Sequence, residues 1–255
     1  MEIGLKEKTV TLDRDGQKLP VFCVEPEAHR QLPAIIVLQE IFGVDDHLRD
    51  VSRRFARQGM RAFAPDLFAT SPNFPADPAQ RKDLDTMRKC WMSIPDSKLI
   101  SDLEAVFQMI VEYPGVFTQN IGAIGYCMGG AVGFMLACSE PRLAWVIDYY
   151  GRIRYGATSD TKPKHPIEYA TNLKCPLLGI FAGKDELITA DHREELASVL
   201  EKSNKTFQIK VYEDAQHAFF NDQRPHYDEQ ASKDAWRLTL DFIAIQSKHA
   251  SEAAR

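Results

Sequence analysis

The N-terminal part of the chain has the alternating pattern of a β-hairpin. Residues 9–12 alternate polar and apolar side chains, Asp15-Gly16 is a common tight-turn pair, and residues 19–24 are again mostly apolar. Residues 33–38 (Pro-Ala-Ile-Ile-Val-Leu) instead form a nearly continuous aliphatic run. Such a run is typical of a strand that is buried on both faces of a parallel sheet. The pattern therefore predicts a hairpin followed by a central strand.

Helical and strand patterns then alternate along the rest of the chain. Residues 96–113 place apolar side chains on one stripe at helical spacing. Further helices are predicted over residues 46–58, 128–138, 190–202 and 227–246, and strands over 60–64, 119–126, 144–150, 176–182 and 207–212. Residues 68–78, rich in Pro, Asn, Ser and Ala, predict a surface loop that leads into a helix and could border a pocket.

This order of elements predicts the fold class α/β. Strands that alternate with helices build a mostly parallel central sheet with helices on both faces. Because no internal repeat and no linker-like stretch divides the chain, residues 1–255 are predicted to form a single domain. Ligands bind beyond the carboxyl ends of the strands in such sheets, so functional residues are expected directly after strands.

A cysteine occupies one such position. Residues 124–130 read Ile-Gly-Tyr-Cys-Met-Gly-Gly, which is the elbow pattern G-x-S-x-G with Cys127 in place of serine. A sharp strand-to-helix turn there would expose the sulfur, and Gly125 and Gly129 leave room for such a turn. The N–H of Met128 and the helix N-terminus both favour a thiolate. The segment predicts a nucleophilic cysteine.

A base and an orienting carboxylate follow later strands. Asp185 comes after the strand predicted at residues 176–182, and His217 comes after the strand at 207–212. A cysteine nucleophile needs a base, and the base needs a carboxylate to orient it. The chain order nucleophile, acid, histidine is the order that α/β-hydrolases use. We therefore expect these residues to form a triad with the cysteine.

The loop after the first central strand predicts the oxyanion hole. Residues 39–43 read Gln-Glu-Ile-Phe-Gly, and in this architecture that loop supplies one N–H to the developing anion. Ile41 and Met128 are the predicted donors. Glu40 would place a carboxylate beside the nucleophile, which raises the pKa of the thiol and holds Cys127 neutral until the carboxylate is displaced.

From the hairpin to the final helix, the sequence resembles the dienelactone hydrolase family, also called carboxymethylenebutenolidases. The motifs that it shares are Gln39-Glu40-Ile41-Phe42-Gly43, Gly125-Tyr126-Cys127-Met128-Gly129-Gly130, Gly183-Lys184-Asp185 and His217-Ala218-Phe219. The resemblance implies an α/β-hydrolase fold, a Cys127–His217–Asp185 triad and hydrolysis of a small-molecule ester or lactone such as an enol lactone. It also implies that Glu40 pairs with the resting thiol and swings away when an anionic substrate arrives. No cofactor or metal is expected.

The same resemblance directs attention to arginines that could bind a substrate carboxylate. Well-known family members use two, one of them four residues after the histidine. That position is Asn221 here, and the nearest arginine is Arg224. The other belongs on the helix after the irregular loop, where Arg81 and Arg88 are the candidates.

Composition and charge exclude several other functions. A formal charge of −5 and a pI near 5.8 argue against nucleic acid as a partner. No apolar run is long enough for a membrane span, and the opening residues lack the layout of a secretory signal. The five cysteines have no C-x-x-C spacing, which argues against a zinc site or a disulfide framework and favours a reducing cytoplasm. The sequence carries no signal of an oligomeric state.

Two alternatives to a dienelactone-like hydrolase stay open. One is a broad-specificity carboxylesterase with the same fold, and the other is a non-catalytic binding module. A scaffold has no need of the four polar residues Glu40, Cys127, Asp185 and His217 at strand ends, so the enzyme is favoured. The other cysteines are interpreted as small apolar core residues; these are Cys23, Cys90, Cys138 and Cys175.

Overall fold

The structure is a computed structural model that describes residues 4–28, 30–71, 73–75, 77 and 79–253. It divides into two compact units: residues 1–118 with 157–163, and residues 119–156 with 164–255. Strands alternate with helices in both units, and most of the strand pairings within the described residues are parallel, which confirms the predicted α/β class. The single domain over residues 1–255 stays a prediction.

The strands of the first unit begin with the predicted hairpin. β1 (Leu5–Arg14) pairs antiparallel with β2 (Gln17–Pro26), and β2 pairs antiparallel with β4 (Arg61–Pro65). β3 (Leu32–Leu38) pairs parallel with β4. All of β4 and nearly all of β3 are buried, as the aliphatic run of β3 predicts for a strand covered on both faces.

The first helix of this unit begins at a polar cap. The Asp45 carboxylate accepts the N–H of Leu48 (3.0 Å) at the start of α1 (Asp46–Arg57), and the chain leaves this helix at Gly59, whose φ is 84°. The amphipathic stripe predicted at residues 96–113 is α3 (Asp96–Val111), and its apolar face is buried.

The irregular stretch predicted at residues 68–78 leads into helical structure as expected. Within it, Pro72, Ala76 and Pro78 lie outside the described residues. The chain continues into a 3₁₀ turn (Gln80–Lys82) and then α2 (Leu84–Ser93).

The second unit contains four parallel strands that are adjacent in chain order. They are β5 (Val116–Tyr126), β6 (Trp145–Tyr149), β7 (Leu177–Ala182) and β8 (Phe207–Tyr212), and β5 begins just before the unit boundary. Every residue of β6 and β7 is buried, whereas β8, at the edge, is partly exposed. Their carboxyl ends lie at one edge, where the site residues are expected.

Three helices complete this unit: α4 (Met128–Ser139), α5 (Ala190–Lys202) and α6 (Glu229–Ala253). α6 runs seven residues past the predicted end at 246, because its last turns are polar and exposed and have no apolar stripe to mark them. A 3₁₀ segment (Pro166–Asn172) was not predicted. Among the described residues, none of the helices combines the length and apolar character that crossing a membrane requires.

Candidate active site

The elbow between β5 and α4 places Cys127 in a strained conformation. Its φ of 55° and ψ of −115° lie where a residue with a Cβ rarely occurs. The turn is held on both sides, since the Cys127 N–H donates to the carbonyl of Tyr149 on β6 (3.0 Å) and the Cys127 carbonyl accepts from Gly130 (3.1 Å). This is the geometry that the sequence pattern predicts for a nucleophile elbow.

Gly125 is required because the first turn of α4 folds back against it. A Cβ at this position would lie 2.0 Å from the carbonyl oxygen of Gly129 and 2.5 Å from the nitrogen of Gly130. Any side chain would therefore push the helix away from the strand and displace the cysteine between them. The sequence-based reason for the glycine is confirmed at this position.

The cysteines fall into two environments. Cys127 is partly exposed, and its Sγ contacts an imidazole. The remaining four are buried, and burial raises the pKa of each thiol, to about 11 for Cys23 and about 12 for Cys175. The others in this group are Cys90 and Cys138. Buried neutral thiols of this kind are chemically inert.

The three predicted triad residues form one hydrogen-bonded series. His217, in the loop after β8, places Nε2 3.2 Å from Cys127 Sγ and Nδ1 2.7 Å from Asp185 Oδ2. Asp185, after β7, is held in turn by the N–H groups of Leu187 (2.8 Å) and Ile188 (3.3 Å), which donate to Oδ1. A thiol, an imidazole and an oriented carboxylate in this order can perform nucleophilic catalysis.

The electrostatics of this series favour a protonated imidazole. Burial opposes the charged form of His217 and is the largest single influence on its pKa. The charge of Cys127, with the hydrogen bonds that the imidazolium donates to Asp185 and Cys127, outweighs burial and raises the pKa of His217 to about 10. An imidazolium beside a thiolate is the pair that attack by sulfur requires.

The backbone around His217 is also strained. Ala218, the next residue, has a φ of 64°, and its carbonyl accepts the N–H of Asn221 (3.0 Å). Tyr150, which follows β6, has a φ of 42°, and the edge of its ring meets the imidazole at 5.2 Å between centroids. Sequence reasoning missed Tyr150, although its position directly after a strand of the same edge was an available signal.

The loop predicted to supply the oxyanion hole belongs to the first unit, where it forms a compact turn. Glu40 is buried, and its carbonyl accepts the N–H of Gly43 (3.2 Å), whose φ is 87°. The side chain of Gln39 is also buried, and its Oε1 accepts the N–H of Leu67 (3.1 Å). The roles given to Glu40 and Ile41 stay predictions.

Met128, the other predicted oxyanion donor, is the first residue of α4. The residue as a whole is buried. At the first helical position an N–H has no partner within the helix, and the helix dipole adds to its attraction for an anion. Its position directly after Cys127 suits the predicted role, which stays a prediction.

The three candidate arginines have different surroundings. Arg81, in the 3₁₀ turn, donates to the carbonyl of Pro75 (2.8 Å) and stacks on Phe74 at 4.4 Å. Arg88 is exposed on α2, 3.5 Å from Asp85. Arg224 is partly buried in the loop after His217. Their binding of a substrate carboxylate stays a prediction.

Asn221 occupies the position at which the resemblance places an arginine. Its side chain is fully buried, and its Oδ1 accepts the N–H of Gln223 (2.9 Å). Its backbone carbonyl accepts the N–H of Arg224 (3.0 Å). Asn221 therefore stabilises the loop that presents His217 and offers no positive charge to a ligand.

Comparison with known proteins supports one family over nearly the whole chain. The profile of the dienelactone hydrolase family matches residues 19–247. A protein of Salmonella typhi is 35% identical over 236 residues, covering 92% of this chain and 85% of that protein. A protein of Yersinia pestis is 32% identical over 242 residues, covering 94% of this chain and 88% of that protein. Both bear the name "Putative carboxymethylenebutenolidase".

Solved structures agree with this result. The crystal structure named "Putative Dienelactone Hydrolase" from Klebsiella pneumoniae has a TM-score of 0.88 at 33% identity, covering 94% of this chain and 99% of that one. A dienelactone hydrolase-like promiscuous phosphotriesterase from metagenomic libraries has a TM-score of 0.78 at 18% identity, covering 95% of this chain and 98% of that one. At this identity the likeness shows the fold alone. The chain thus belongs to the dienelactone hydrolase family and is a hydrolase with the α/β-hydrolase fold.

Proposed function

We propose that the protein hydrolyses a carboxylic ester or lactone, of the enol-lactone kind, through an acyl-cysteine intermediate. Cys127 is the nucleophile, His217 transfers the proton and Asp185 orients the imidazole. The proposal depends on two contacts of the imidazole. Cys127 Sγ lies 3.2 Å from His217 Nε2, and His217 Nδ1 lies 2.7 Å from Asp185 Oδ2. The names of the relatives support the ester or lactone class of substrate.

In the first half of the reaction, the Cys127 thiolate attacks the carbonyl carbon. A carbon–sulfur bond forms, and the negative charge moves to the carbonyl oxygen, where the N–H groups of Ile41 and Met128 are the proposed donors. The carbon–oxygen bond then breaks, and the leaving oxygen takes the proton from His217 Nε2. The raised pKa of His217, about 10, supports this step because the imidazole starts protonated at neutral pH.

In the second half, water releases the acyl group. His217, now neutral, accepts a proton from water as the water oxygen attacks the thioester carbon. The carbon–sulfur bond breaks, and the thiolate and imidazolium are restored. An enol lactone suits a sulfur nucleophile because its leaving group departs as a stabilised enolate, so formation of the thioester is favoured.

A broad carboxylesterase is the second candidate, and Asn221 is the observation that favours it. A buried amide that bonds within its own loop cannot neutralise a substrate carboxylate. Selection of an anionic substrate then depends on arginines elsewhere, such as Arg81, Arg88 or Arg224. A neutral ester needs none of them.

Activity measurements with two matched cysteine variants test the proposal. Wild type, Cys127→Ala and Cys138→Ala are assayed on p-nitrophenyl esters and on dienelactones with and without a carboxylate. We expect Cys127→Ala to lose at least about 1,000-fold in kcat, as removal of a triad nucleophile does. Cys138→Ala removes a buried sulfur from the same helix and should keep its activity.

The substrate panel separates the two candidates. Preference for a carboxylate-bearing dienelactone supports the first, and equal hydrolysis of neutral esters supports the second. Undiminished hydrolysis by Cys127→Ala would refute the nucleophile and both candidates with it.

We also propose that Glu40 pairs with the Cys127 thiol in the ligand-free protein and swings away when an anionic substrate arrives, as the resemblance implies. The thiolate–imidazolium pair that attacks the substrate then forms when the substrate binds. The burial of Glu40 near the end of β3 supports a role beyond that of a solvated loop residue. Glu40→Gln should then increase the alkylation rate of Cys127 by iodoacetamide in the ligand-free protein, with Glu27→Gln as the exposed control. An unchanged rate would remove the gating role and leave the triad untouched.

A further inference from the structure

A second buried carboxyl group lies behind the elbow. Asp148 is in β6, directly opposite Gly125 of β5 in the parallel register, and it is 4% exposed. Its Oδ1 accepts the N–H of Gly151 (2.7 Å), three residues further along the chain. A carboxyl group in the interior strand of a sheet is costly to bury, so its position calls for a physical reason.

Two glycines make the space that this carboxyl group fills. A Cβ at Gly130, in the first turn of α4, would lie 2.1 Å from Asp148 Oδ1. A Cβ at Gly151 would lie 2.3 Å from the same oxygen and 2.5 Å from the nitrogen of Ala131. The Asp148 oxygen is thus enclosed between the start of the nucleophile helix and the turn that follows β6.

The Asp148–Gly151 hydrogen bond closes a turn that contains two residues of the site. Within it, the Tyr149 carbonyl accepts the N–H of Cys127 (3.0 Å). Tyr150 adopts its left-handed φ of 42°, anchored by its N–H to the carbonyl of Ile180 (2.8 Å). Its ring then meets the imidazole of His217 at 5.2 Å. One turn therefore supports both the nucleophile and the base.

We propose that Asp148 is a positioning residue of the reaction, which holds Cys127 and His217 in register through the turn that it closes. It acts on Cys127 through the carbonyl of Tyr149 and on His217 through the ring of Tyr150. This inference rests on the proposed function, because it assigns Asp148 a part in the same triad. Nothing in the sequence pattern around residues 144–150 suggested the role.

The role requires a side chain long enough to bring a hydrogen-bond acceptor to the N–H of Gly151, and it does not require charge. Burial raises the pKa of Asp148 to about 7, against the opposing effect of the Gly151 N–H. A neutral carboxyl group still offers its carbonyl oxygen to Gly151. Asparagine has the same shape and the same acceptor, so it should replace Asp148, whereas alanine cannot reach Gly151.

The experiment compares Asp148→Asn and Asp148→Ala with Asp96→Asn, which alters another buried carboxyl group in the first unit. For each variant, kcat and KM are measured on the best p-nitrophenyl ester, together with the alkylation rate of Cys127 by iodoacetamide at pH 7 and the Tm. Asp148→Ala should lower kcat by about 10- to 100-fold with KM nearly unchanged, since small misplacements of reacting groups cost rates of this order. It should also slow alkylation, because a displaced imidazole no longer stabilises the thiolate.

Rescue by asparagine and the control separate positioning from loss of stability. Asp148→Asn should keep kcat within about threefold, and Asp96→Asn should lower Tm without lowering kcat. Wild-type kcat in folded Asp148→Ala would overturn the inference. A loss of kcat in Asp148→Asn as large as that in Asp148→Ala would also overturn it, and so would an equally large loss of kcat in Asp96→Asn at a matched fall in Tm. If Asp148→Ala does not fold, Asp148→Ser makes the same comparison, because its hydroxyl is too short to reach Gly151.

Failure of this inference is distinguishable from failure of the proposed function. If Cys127→Ala keeps its activity, the proposed function fails whatever Asp148 does. If Cys127→Ala is inactive and Asp148→Ala has wild-type kcat and alkylation rate, only the role of Asp148 fails.

Discussion

The two ends of α4 present the same residue type in opposite surroundings. Cys127 precedes the first turn, partly exposed and 3.2 Å from His217 Nε2. Cys138 lies eleven residues later in the last turn, where burial raises the pKa of its thiol far above the usual range. Both belong to one stretch of chain, the elbow and the helix that follows it. Only the one at the strand end is accessible and meets an imidazole.

Position in the fold, and not residue type, therefore sets the chemical surroundings of each cysteine. At the helix N-terminus the dipole and free N–H groups favour negative charge, and the strained elbow keeps the sulfur out of the core. At the other end the dipole has the opposite sign, and burial opposes ionisation of the thiol. The four buried thiols therefore serve as internal controls for the accessible one.

Selective alkylation tests this difference and should show the largest effect. With iodoacetamide at pH 7, Cys127 should react at least about 1,000-fold faster than Cys138, because the thiolate is the reacting species and burial suppresses it. Peptide mass spectrometry of the native protein over time measures both rates. Comparable rates at the two cysteines would remove the distinction between the ends of the helix.

Removal of the orienting carboxylate should have the next largest effect. Asp185 bonds to His217 and raises its pKa, so Asp185→Asn should lower that pKa. The alkaline limb of the kcat/KM profile, which follows loss of the imidazolium, should then move to lower pH, and kcat should fall about 100- to 1,000-fold as the ring loses its orientation. Asp191→Asn, on the exposed face of α5, is the control. An alkaline limb that does not move would show that Asp185 does not act on this imidazole.

A smaller effect is expected in the stability of the second unit. The pKa of Asp148 rises from 3.8 to about 7 in the folded protein, so folding takes up a proton between these values. The free energy of unfolding should therefore fall as pH rises through this window, and this loss of stability is complete above pH 7. Asparagine does not ionise. The free energy of unfolding of Asp148→Asn, relative to that of wild type, should therefore increase by roughly 2–3 kcal/mol between pH 5 and pH 8.

Urea unfolding of the two proteins at both pH values measures this gain. The value at pH 5 is the internal control, because residue 148 is then neutral in both folded proteins. A difference between the proteins that does not change with pH would show that Asp148 is ionised in the folded state.

The sequence predicted those elements whose signals are local. Helix α5 and strand β8 begin and end at the predicted residues, and the Thr189 side chain caps α5 by accepting the N–H of His192 (3.4 Å). The end of α6 was predicted less well because an exposed polar helix lacks an apolar stripe. Local pattern is therefore sufficient where one face is buried, and insufficient where none is.

The triad geometry was predictable for a topological reason. Parallel strands that are adjacent in the sheet bring their carboxyl ends together, so three separate strand-end residues could be expected to meet. Asp148 was not predictable in this way, because its environment is formed by Gly130 and Gly151, two glycines from different elements. A buried carboxyl group within an apolar strand gains its meaning only from such contacts.

The most direct test of the account is the chemical identity of the intermediate. Wild-type protein is mixed with a p-nitrophenyl ester of slow turnover, quenched in acid during steady state and digested, and the acyl mass is located by peptide mass spectrometry. We expect the acyl mass on the peptide that contains Cys127 in the wild-type protein, and no acyl mass on the corresponding peptide of Cys127→Ala. Steady-state turnover without acyl mass on Cys127, or with acyl mass on another residue, would contradict the account.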